Sequence, residues 1–223
     1  KLMQLNPGFD GKVVDKSGKN APKIESGMVT EIRFVTDYVT DVSPVRAMSG
    51  LKVLYCPGSR PGMGKLTDLA PLQGMKLTEL DCGWSPSVTD LSPLKGLPLT
   101  KLLCGNSQVT DLSPLHEMPL TFLDCYDTKV DDLLPLREMR LTYLKCSDSL
   151  ISDLSPLEGC KTLSTLLVQG TQITPAGIAA LQKTLPNCKI EWDDPAKPKT
   201  PPDKSIDDRD RRAAEMALGK GGR

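Results

Sequence analysis

The chain has 223 residues and carries 28 Lys and Arg against 28 Asp and Glu, so its formal net charge is zero. A balanced charge produces no overall field that would attract a nucleic acid or an anionic membrane surface, and we expect neither as a partner. No stretch approaches the run of about 18 apolar residues that a membrane-spanning helix needs, so we expect no membrane insertion of this segment.

Residues 1–28 come before the repeating part of the sequence, and we expect them to form an N-terminal capping segment. Asn6-Pro7-Gly8 predicts a turn, and the polar residues 16–23 predict an exposed loop. A cap is needed because the first unit of a stacked fold would otherwise expose its apolar core.

The insertion at 57–65, which reads PGSRPGMGK, separates the second and third predicted strands. Its Gly64-Lys65 pair invites comparison with a phosphate-binding loop. That motif requires Gly where Ser59 stands and Ser or Thr where Leu66 stands, so the match fails at two defining positions. We therefore predict a surface loop that does not bind a nucleotide.

A pattern of 21 residues is spelled three times between Val88 and Leu150, beginning with VTDLSPLKGLPLTKLLCGNSQ. Each copy contains Leu-x-x-Leu-x-Cys, which predicts a short strand with Leu and Cys pointing inward. A period of about 20 to 29 residues is typical of leucine-rich repeats. Residues 29–192 are thus predicted to form an α/β leucine-rich repeat solenoid: a curved parallel sheet of about eight strands with short helical or 3-10 returns.

The chain holds seven cysteines, and five of them recur at the inward strand position: Cys56, Cys82, Cys104, Cys125 and Cys146. A disulfide ladder is disfavoured because neighbouring strands are about 4.8 Å apart, slightly beyond disulfide reach. A straight row of thiols also cannot surround a zinc ion. We expect small buried hydrophobic side chains, no metal and no cofactor. Free thiols favour a reducing compartment, so we expect a cytoplasmic protein.

An Asp column begins the return segments, at Asp41, Asp68, Asp90, Asp111, Asp132 and Asp153. A calcium ladder is one interpretation, but one carboxylate per repeat falls short of the six to eight oxygens that calcium takes. Capping of nearby backbone N–H groups is the simpler one. The Ser that precedes Pro93, Pro114 and Pro156 is predicted to be a helix N-cap.

The return segments resemble those of the internalin-like class of leucine-rich repeats, which also read Asp-Leu/Ile-x-Pro-Leu. That class usually places Asn at the turn, where its amides form a ladder along the stack. Here the turn carries hydroxyl residues, so a hydroxyl ladder is expected at Ser59, Ser85, Ser107, Thr128, Ser149 and Thr171. Together with the Cys-ending strand, this turn is most similar to repeats of large planctomycete-type bacterial proteins. Those repeats often lie C-terminal to a serine/threonine kinase domain, which implies an alternative function as a regulatory or sensing region.

No catalytic set is found in the sequence. His116 is the only histidine and falls in a return segment, away from the predicted sheet face. The kinase signatures His-Arg-Asp and Asp-Phe-Gly are also missing. We expect no enzyme.

The outward strand positions form two rows across the predicted concave sheet face. Because side chains of adjacent copies stand about 5 Å apart, aromatic residues should cluster there with a charged rim. They either bind a partner or simply cover the sheet. The predicted site for a protein or peptide ligand consists of Tyr55, Asp81, Lys101, Leu103, Phe122, Asp124, Tyr126, Tyr143 and Lys145.

The C-terminal part is predicted to change character twice. Residues 175–192 contain AGIAALQKTL and should form a helical cap with a last short strand. Residues 193–206 are rich in proline and predict a solvated linker. Residues 207–223 predict a short helix and a tail.

Overall fold

The computed structural model describes residues 1–13 and 21–196. The solenoid occupies Lys1–Trp192. Within the described residues, nine strands form one sheet in chain order. They are β1 (Lys23–Glu25), β2 (Met28–Arg33), β3 (Val53–Tyr55), β4 (Glu79–Asp81), β5 (Lys101–Leu103), β6 (Phe122–Asp124), β7 (Tyr143–Lys145), β8 (Thr165–Leu167) and β9 (Lys189–Glu191).

The predicted leucine-rich repeat solenoid is confirmed. Strands β2 to β9 are parallel, and each pairs with the strand that follows it in the chain. The sequence did not predict β1, which pairs antiparallel with β2 and turns the N-terminal end of the sheet into a hairpin. Part of the polar loop expected at 16–23 is therefore strand from Lys23 onward.

The core is one continuous stack of Leu and Cys side chains. Leu80, Leu102, Leu123 and Leu144 follow one another across four strands and are each 0% exposed. All seven cysteines are free and buried. Burial raises the pKa of the Cys104 and Cys125 thiols well above its ordinary value, so these thiols stay protonated at neutral pH.

The returns are 3-10 helices at Ser43–Ala47, Ala70–Leu72, Ser92–Leu94, Ser113–Leu115, Leu134–Leu136 and Ser155–Gly159. The capping prediction is right for Asp and wrong for Ser. Ser113 is the first helical residue, and its own N–H donates to Asp111 Oδ1 at 2.7 Å. The Ser113 hydroxyl donates to the other oxygen of the same carboxylate, also at 2.7 Å. Asp90 and Asp153 make the same pair of contacts.

The expected hydroxyl ladder at the turn is wrong for the later repeats. Nearer the N-terminal end, the Ser59 hydroxyl donates to Asp37, and the Ser85 hydroxyl lies 3.5 Å from that of Thr36 in an earlier repeat. Ser107, Thr128 and Ser149 each donate to the carbonyl three residues earlier in their own repeat, at 2.6 to 2.8 Å. Inter-repeat hydroxyl bonds occur instead at the start of the strands, where each hydroxyl donates to a backbone carbonyl of the preceding repeat. These donors are Thr78, Thr100, Thr121, Thr142 and Ser164.

Both ends of the solenoid carry a covering segment. At the N-terminal end, α1 (Leu2–Leu5) is followed by Asn6, which is buried. The Asn6 side chain accepts from the N–H groups of Thr40 and Asp41 and donates to the Asp41 carbonyl. At the C-terminal end, α2 (Pro175–Thr184) lays Ile178 and Leu181 on the last core layer.

The insertion at 57–65 is held against its neighbours by backbone bonds. Gly58 N donates to Gly83 O and Gly64 N to Trp84 O, both at 3.0 Å. Over 1–13 and 21–196, no helix is long and apolar enough to cross a membrane. The interpretation of 197–223 as the rest of a linker, a helix and a tail lies outside the described residues.

Candidate functional site: the outward face of the sheet

The predicted site residues fall on one face because the repeats stack in register. Lys101, Phe122 and Tyr143 are direct neighbours at the first outward position. The second outward position aligns the other strand residues of the predicted set: Tyr55, Asp81, Leu103, Asp124 and Lys145. Tyr126 lies two residues after the end of β6. We call this surface the sheet face.

The expected charged rim is wrong. Lys101, Lys145 and Asp124 are buried, with 7%, 6% and 9% of their surface exposed. Tyr55 is also buried, at 8%. The remaining members of the predicted set are half-buried: Asp81, Leu103, Phe122, Tyr126 and Tyr143. The charges are enclosed because strands of three residues bring long side chains of neighbouring repeats into contact across the whole width of the sheet.

Phe122 and Tyr143 form the most regular contact of the sheet face. Their rings are parallel to within 1°, with centroids 4.2 Å apart. On the other side of Phe122, Lys101 Nζ lies 5.0 Å from the ring centroid. The same ammonium is 6.0 Å from the Tyr55 ring. Lys101 therefore occupies the space between two aromatic side chains and leaves little of its charge to solvent.

A second aromatic pair joins Trp84 and Tyr126. Trp84 Nε1 donates to the Tyr126 hydroxyl at 2.6 Å, although the two residues are two repeats apart. The Tyr126 ring packs directly on the backbone of Gly105, in the repeat between them. Lys145 Nζ lies 4.1 Å from the Tyr126 ring centroid. Tyr126 is thus held by a hydrogen bond, a glycine and a cation.

Trp84 lies just past β4, beside the predicted set of nine residues, and its backbone conformation is unusual. Its φ angle is +57°, in the left-handed region. The corresponding residues of later repeats, Asn106, Asp127, Asp148 and Gly170, also have positive φ. Asn, Asp and Gly tolerate this conformation, whereas a bulky side chain adopts it at a cost in free energy. A Trp at a position that later repeats fill with Asn, Asp or Gly is the sequence signal that this side chain has a specific role.

Tyr55 lies toward the N-terminal end of the sheet face and has a different role. Its hydroxyl donates to the carboxylate of Glu79 in the next repeat. Burial, followed by this hydrogen bond and the nearby carboxylates, raises the pKa of the Tyr55 phenol. The pair closes the surface beside Lys101 and adds no reactive group.

The described residues contain no group of three or more His, Cys, Asp and Glu side chains placed to hold a metal ion. His116 is exposed, and its Nδ1 lies 3.2 Å from the Pro135 carbonyl oxygen. The thiols of the core column are enclosed and protonated.

Comparison with known proteins places the fold. No protein-family model matches the sequence, and no curated protein matches it. Among solved structures, the chain is similar to internalin C2 from Listeria monocytogenes, with a TM-score of 0.61 and 27% identity over 69% of this chain and 66% of that one. Internalin F from the same organism has a TM-score of 0.51 and 24% identity, over 70% of this chain and 53% of that one.

A leucine-rich repeat protein from Leptospira interrogans also matches, with a TM-score of 0.51 and 18% identity, over 67% of this chain and 45% of its own. The chain therefore spans between about half and two thirds of the length of these structures. At identities below 25%, internalin F and the Leptospira protein are evidence of shared fold alone. The solved structures that this chain resembles are internalin-like leucine-rich repeat proteins of bacteria.

Proposed function

We propose that the chain is a non-enzymatic interaction scaffold that binds a protein or peptide on its sheet face. The observation that carries the proposal is the aromatic cluster on the outward side of the sheet. Only 4% of the residues are aromatic, yet Trp84, Phe122, Tyr126 and Tyr143 all contribute half-buried rings to this side. Aromatic side chains are enriched at protein interfaces and dominate binding energy there.

The architecture supports the same conclusion. A solenoid builds an extended surface from equivalent positions of successive repeats, and its inner side is a common place for a partner. The apolar core is already complete beneath the sheet, with Leu102, Leu123 and Leu144 each 0% exposed. The half-buried rings above it are therefore not needed to fill the interior.

A display library of random peptides, panned on the whole chain, tests the proposal without a known partner. Selected peptides should bind the double variant Phe122→Ala/Tyr143→Ala at least about tenfold more weakly, because truncation of a central aromatic residue typically costs more than 1 kcal/mol. The control is Leu134→Ala/Leu150→Ala, which truncates two side chains that are 55% and 46% exposed and lie outside the sheet face. Circular dichroism and urea unfolding verify that both variants fold.

Equal binding of the selected peptides to the parent chain and to the folded Phe122/Tyr143 variant would remove the sheet face from the proposal. Failure of the library to yield any enriched peptide would contradict peptide binding altogether.

The alternative is a regulatory or sensing region of a serine/threonine kinase. It is supported by resemblance of the Cys-ending repeats alone, and no contact in the described residues favours it over a scaffold. A kinase reading frame upstream in the same gene would support this alternative, and a different upstream domain would end it. A cytoplasmic location likewise stays a prediction.

A further inference from the structure

The stacking of the sheet face decides which part of each ring a partner can touch. Phe122 and Tyr143 belong to neighbouring repeats and face each other at 4.2 Å. The opposite face of Phe122 is turned toward Lys101 in the preceding repeat. Both faces of Phe122 are therefore occupied from within the chain, and its edge is directed to the open side.

Tyr126 repeats this arrangement. Gly105, in the preceding repeat, packs against one side of its ring. Lys145, in the following repeat, places its ammonium 4.1 Å from the ring centroid. The Tyr126 hydroxyl is already engaged by Trp84. Here too the partner meets a ring edge rather than a face.

Ring edges and ring faces attract different groups. The edge of an aromatic ring carries the positive end of its quadrupole and the face carries the negative end, so an edge is complemented by the face of another ring. Proline rings and sugars stack on open aromatic faces. At Phe122 and Tyr126 those faces are already covered by other groups of the chain. An aromatic side chain placed face-on to the edges of Phe122 and Tyr143 fits the exposed geometry.

The charges of the sheet face point to an uncharged partner. Lys101 and Lys145 are 7% and 6% exposed, and each lies over aromatic rings of this chain. Asp124 is 9% exposed and accepts from the backbone N–H of Tyr126 at 3.2 Å. Asp81, the fourth charged residue of the sheet face, is half-buried, so the surface carries two charges of each sign, and the chain as a whole has zero formal charge. Electrostatic steering of a charged ligand toward this surface is therefore weak.

We infer that the sheet face selects an uncharged peptide segment that presents an aromatic side chain to the edges of the Phe122–Tyr143 stack, with the Trp84–Tyr126 pair as a second anchor. This inference rests on the proposed function and specifies its ligand. It replaces the charged rim expected from the sequence with contacts that are indifferent to salt.

The random-peptide library serves as the probe. Enriched sequences should carry an aromatic residue and little net charge. Replacement of that aromatic residue by Leu in a synthetic peptide should weaken binding roughly tenfold, since an aromatic pair contributes beyond its buried area. Raising salt from about 0.05 M to about 0.5 M should change the affinity less than about twofold, because no exposed ion pair is formed.

Substitutions in the protein separate the ring edge from general apolarity. Phe122→Leu keeps an apolar side chain and removes the edge, so it should weaken the selected peptides about as much as Phe122→Ala does. Lys101→Met keeps the aliphatic stem and removes the charge, and it should leave the salt dependence flat. Leu134→Ala, at a side chain that is 55% exposed and outside the sheet face, is the control, with affinity close to that of the parent chain.

The outcomes distinguish this inference from the proposed function. Peptides that depend on Phe122 and Tyr143 but are charged, or that lose affinity steeply with salt, would overturn the inference and leave the scaffold standing. Peptides that tolerate Phe122→Leu but not Phe122→Ala would overturn the requirement for a ring edge. Peptides that ignore both residues would contradict the proposed function itself.

Discussion

Gly105 is the residue whose absent side chain gives the sheet face its shape. A Cβ atom at this position would lie 2.7 Å from Tyr126 Cε1 and 3.0 Å from the Tyr126 carbonyl oxygen. The Tyr126 ring would then have to move away from residue 105 and lose its hydrogen bond from Trp84. The glycine is thus required by a close approach of the next repeat.

We predict that Gly105→Ala destabilises the chain by about 1 to 3 kcal/mol, the usual cost of forcing extra volume into a packed site. The urea midpoint measures this loss. Gly177→Ala is the matched control, because a Cβ there meets its nearest neighbours at ordinary distances of 3.6 and 3.8 Å. Equal stability of the two variants would show that Tyr126 is not seated on Gly105.

The aspartates that begin the return segments make the stability of the fold depend on pH. A hydrogen bond from the Ser155 hydroxyl, followed by one from the Ser155 N–H, lowers the pKa of Asp153. A carboxylate whose pKa is lower in the folded state stabilises the fold above its unfolded pKa of about 3.9. That contribution is lost as the pH falls through the folded pKa.

We therefore predict that Ser155→Ala lowers the urea midpoint at pH 7 and that its difference from the parent chain shrinks below about pH 4. In acid, Asp153 of the parent chain becomes protonated and the stabilisation from its hydrogen bonds with Ser155 is lost. The variant already lacks the bond from the hydroxyl, so it loses less stability. Ser152→Ala, at an exposed neighbouring position, serves as the control and should match the parent chain throughout. A difference that grows in acid would contradict this sign.

At the scale of the elements, each of the strands β3 to β7 contributes three residues to the sheet and one inward Leu to the core, and a buried Cys follows it directly. The strands are short, but their inward Leu side chains are enclosed by the repeats on both sides. Leu123 of β6 is 0% exposed, whereas Leu134 of the following 3-10 helix is 55% exposed. The two leucines lie within the length of one repeat and differ in how deeply their side chains are buried.

Leu123→Ala should therefore cost about 2 to 5 kcal/mol, the sum of lost transfer free energy and the cavity left behind. Leu134→Ala should change the free energy of unfolding by no more than about 0.5 kcal/mol, because its side chain is already in water. Chemical denaturation of both variants measures the contrast. Similar losses for the two would mean that Leu134 is covered by a partner or by another copy.

At the scale of the whole molecule, stability should vary along the stack. Each repeat contacts its neighbours, so inner repeats gain an interface on both sides and end repeats on one. Within the described residues, β1 and β9 are the outermost strands of the sheet. The N-terminal end is held by Asn6, and the C-terminal end by α2.

Hydrogen exchange should follow this gradient. We predict the strongest amide protection in β5, β6 and β7 and weaker protection in β1 and β9, because end repeats open with less free energy than the whole chain. Peptide-resolved exchange measured by mass spectrometry maps it. Uniform protection from β1 to β9 would indicate a single cooperative unit and contradict the gradient.

The sequence by itself determined the repeat architecture and much of the sheet face. A strict 21-residue period allows only one register, so the neighbours of Phe122 follow from counting alone. Burial of the Leu and Cys positions follows from the same alternation. The column of Asp caps was likewise evident from spacing, because a carboxylate bonds the N–H two residues on without help from distant parts of the chain.

Other features depend on contacts that no local pattern encodes. The seating of Tyr126 on Gly105 and its bond to Trp84 join residues from different repeats, and the bond needs a left-handed backbone at Trp84. Lys101 and Lys145 stay on the outward face but lie buried over neighbouring rings instead of forming an exposed rim. Periodicity fixes where a Cβ atom lies, whereas the rotamer and the burial beyond it are decided only when the repeats pack together.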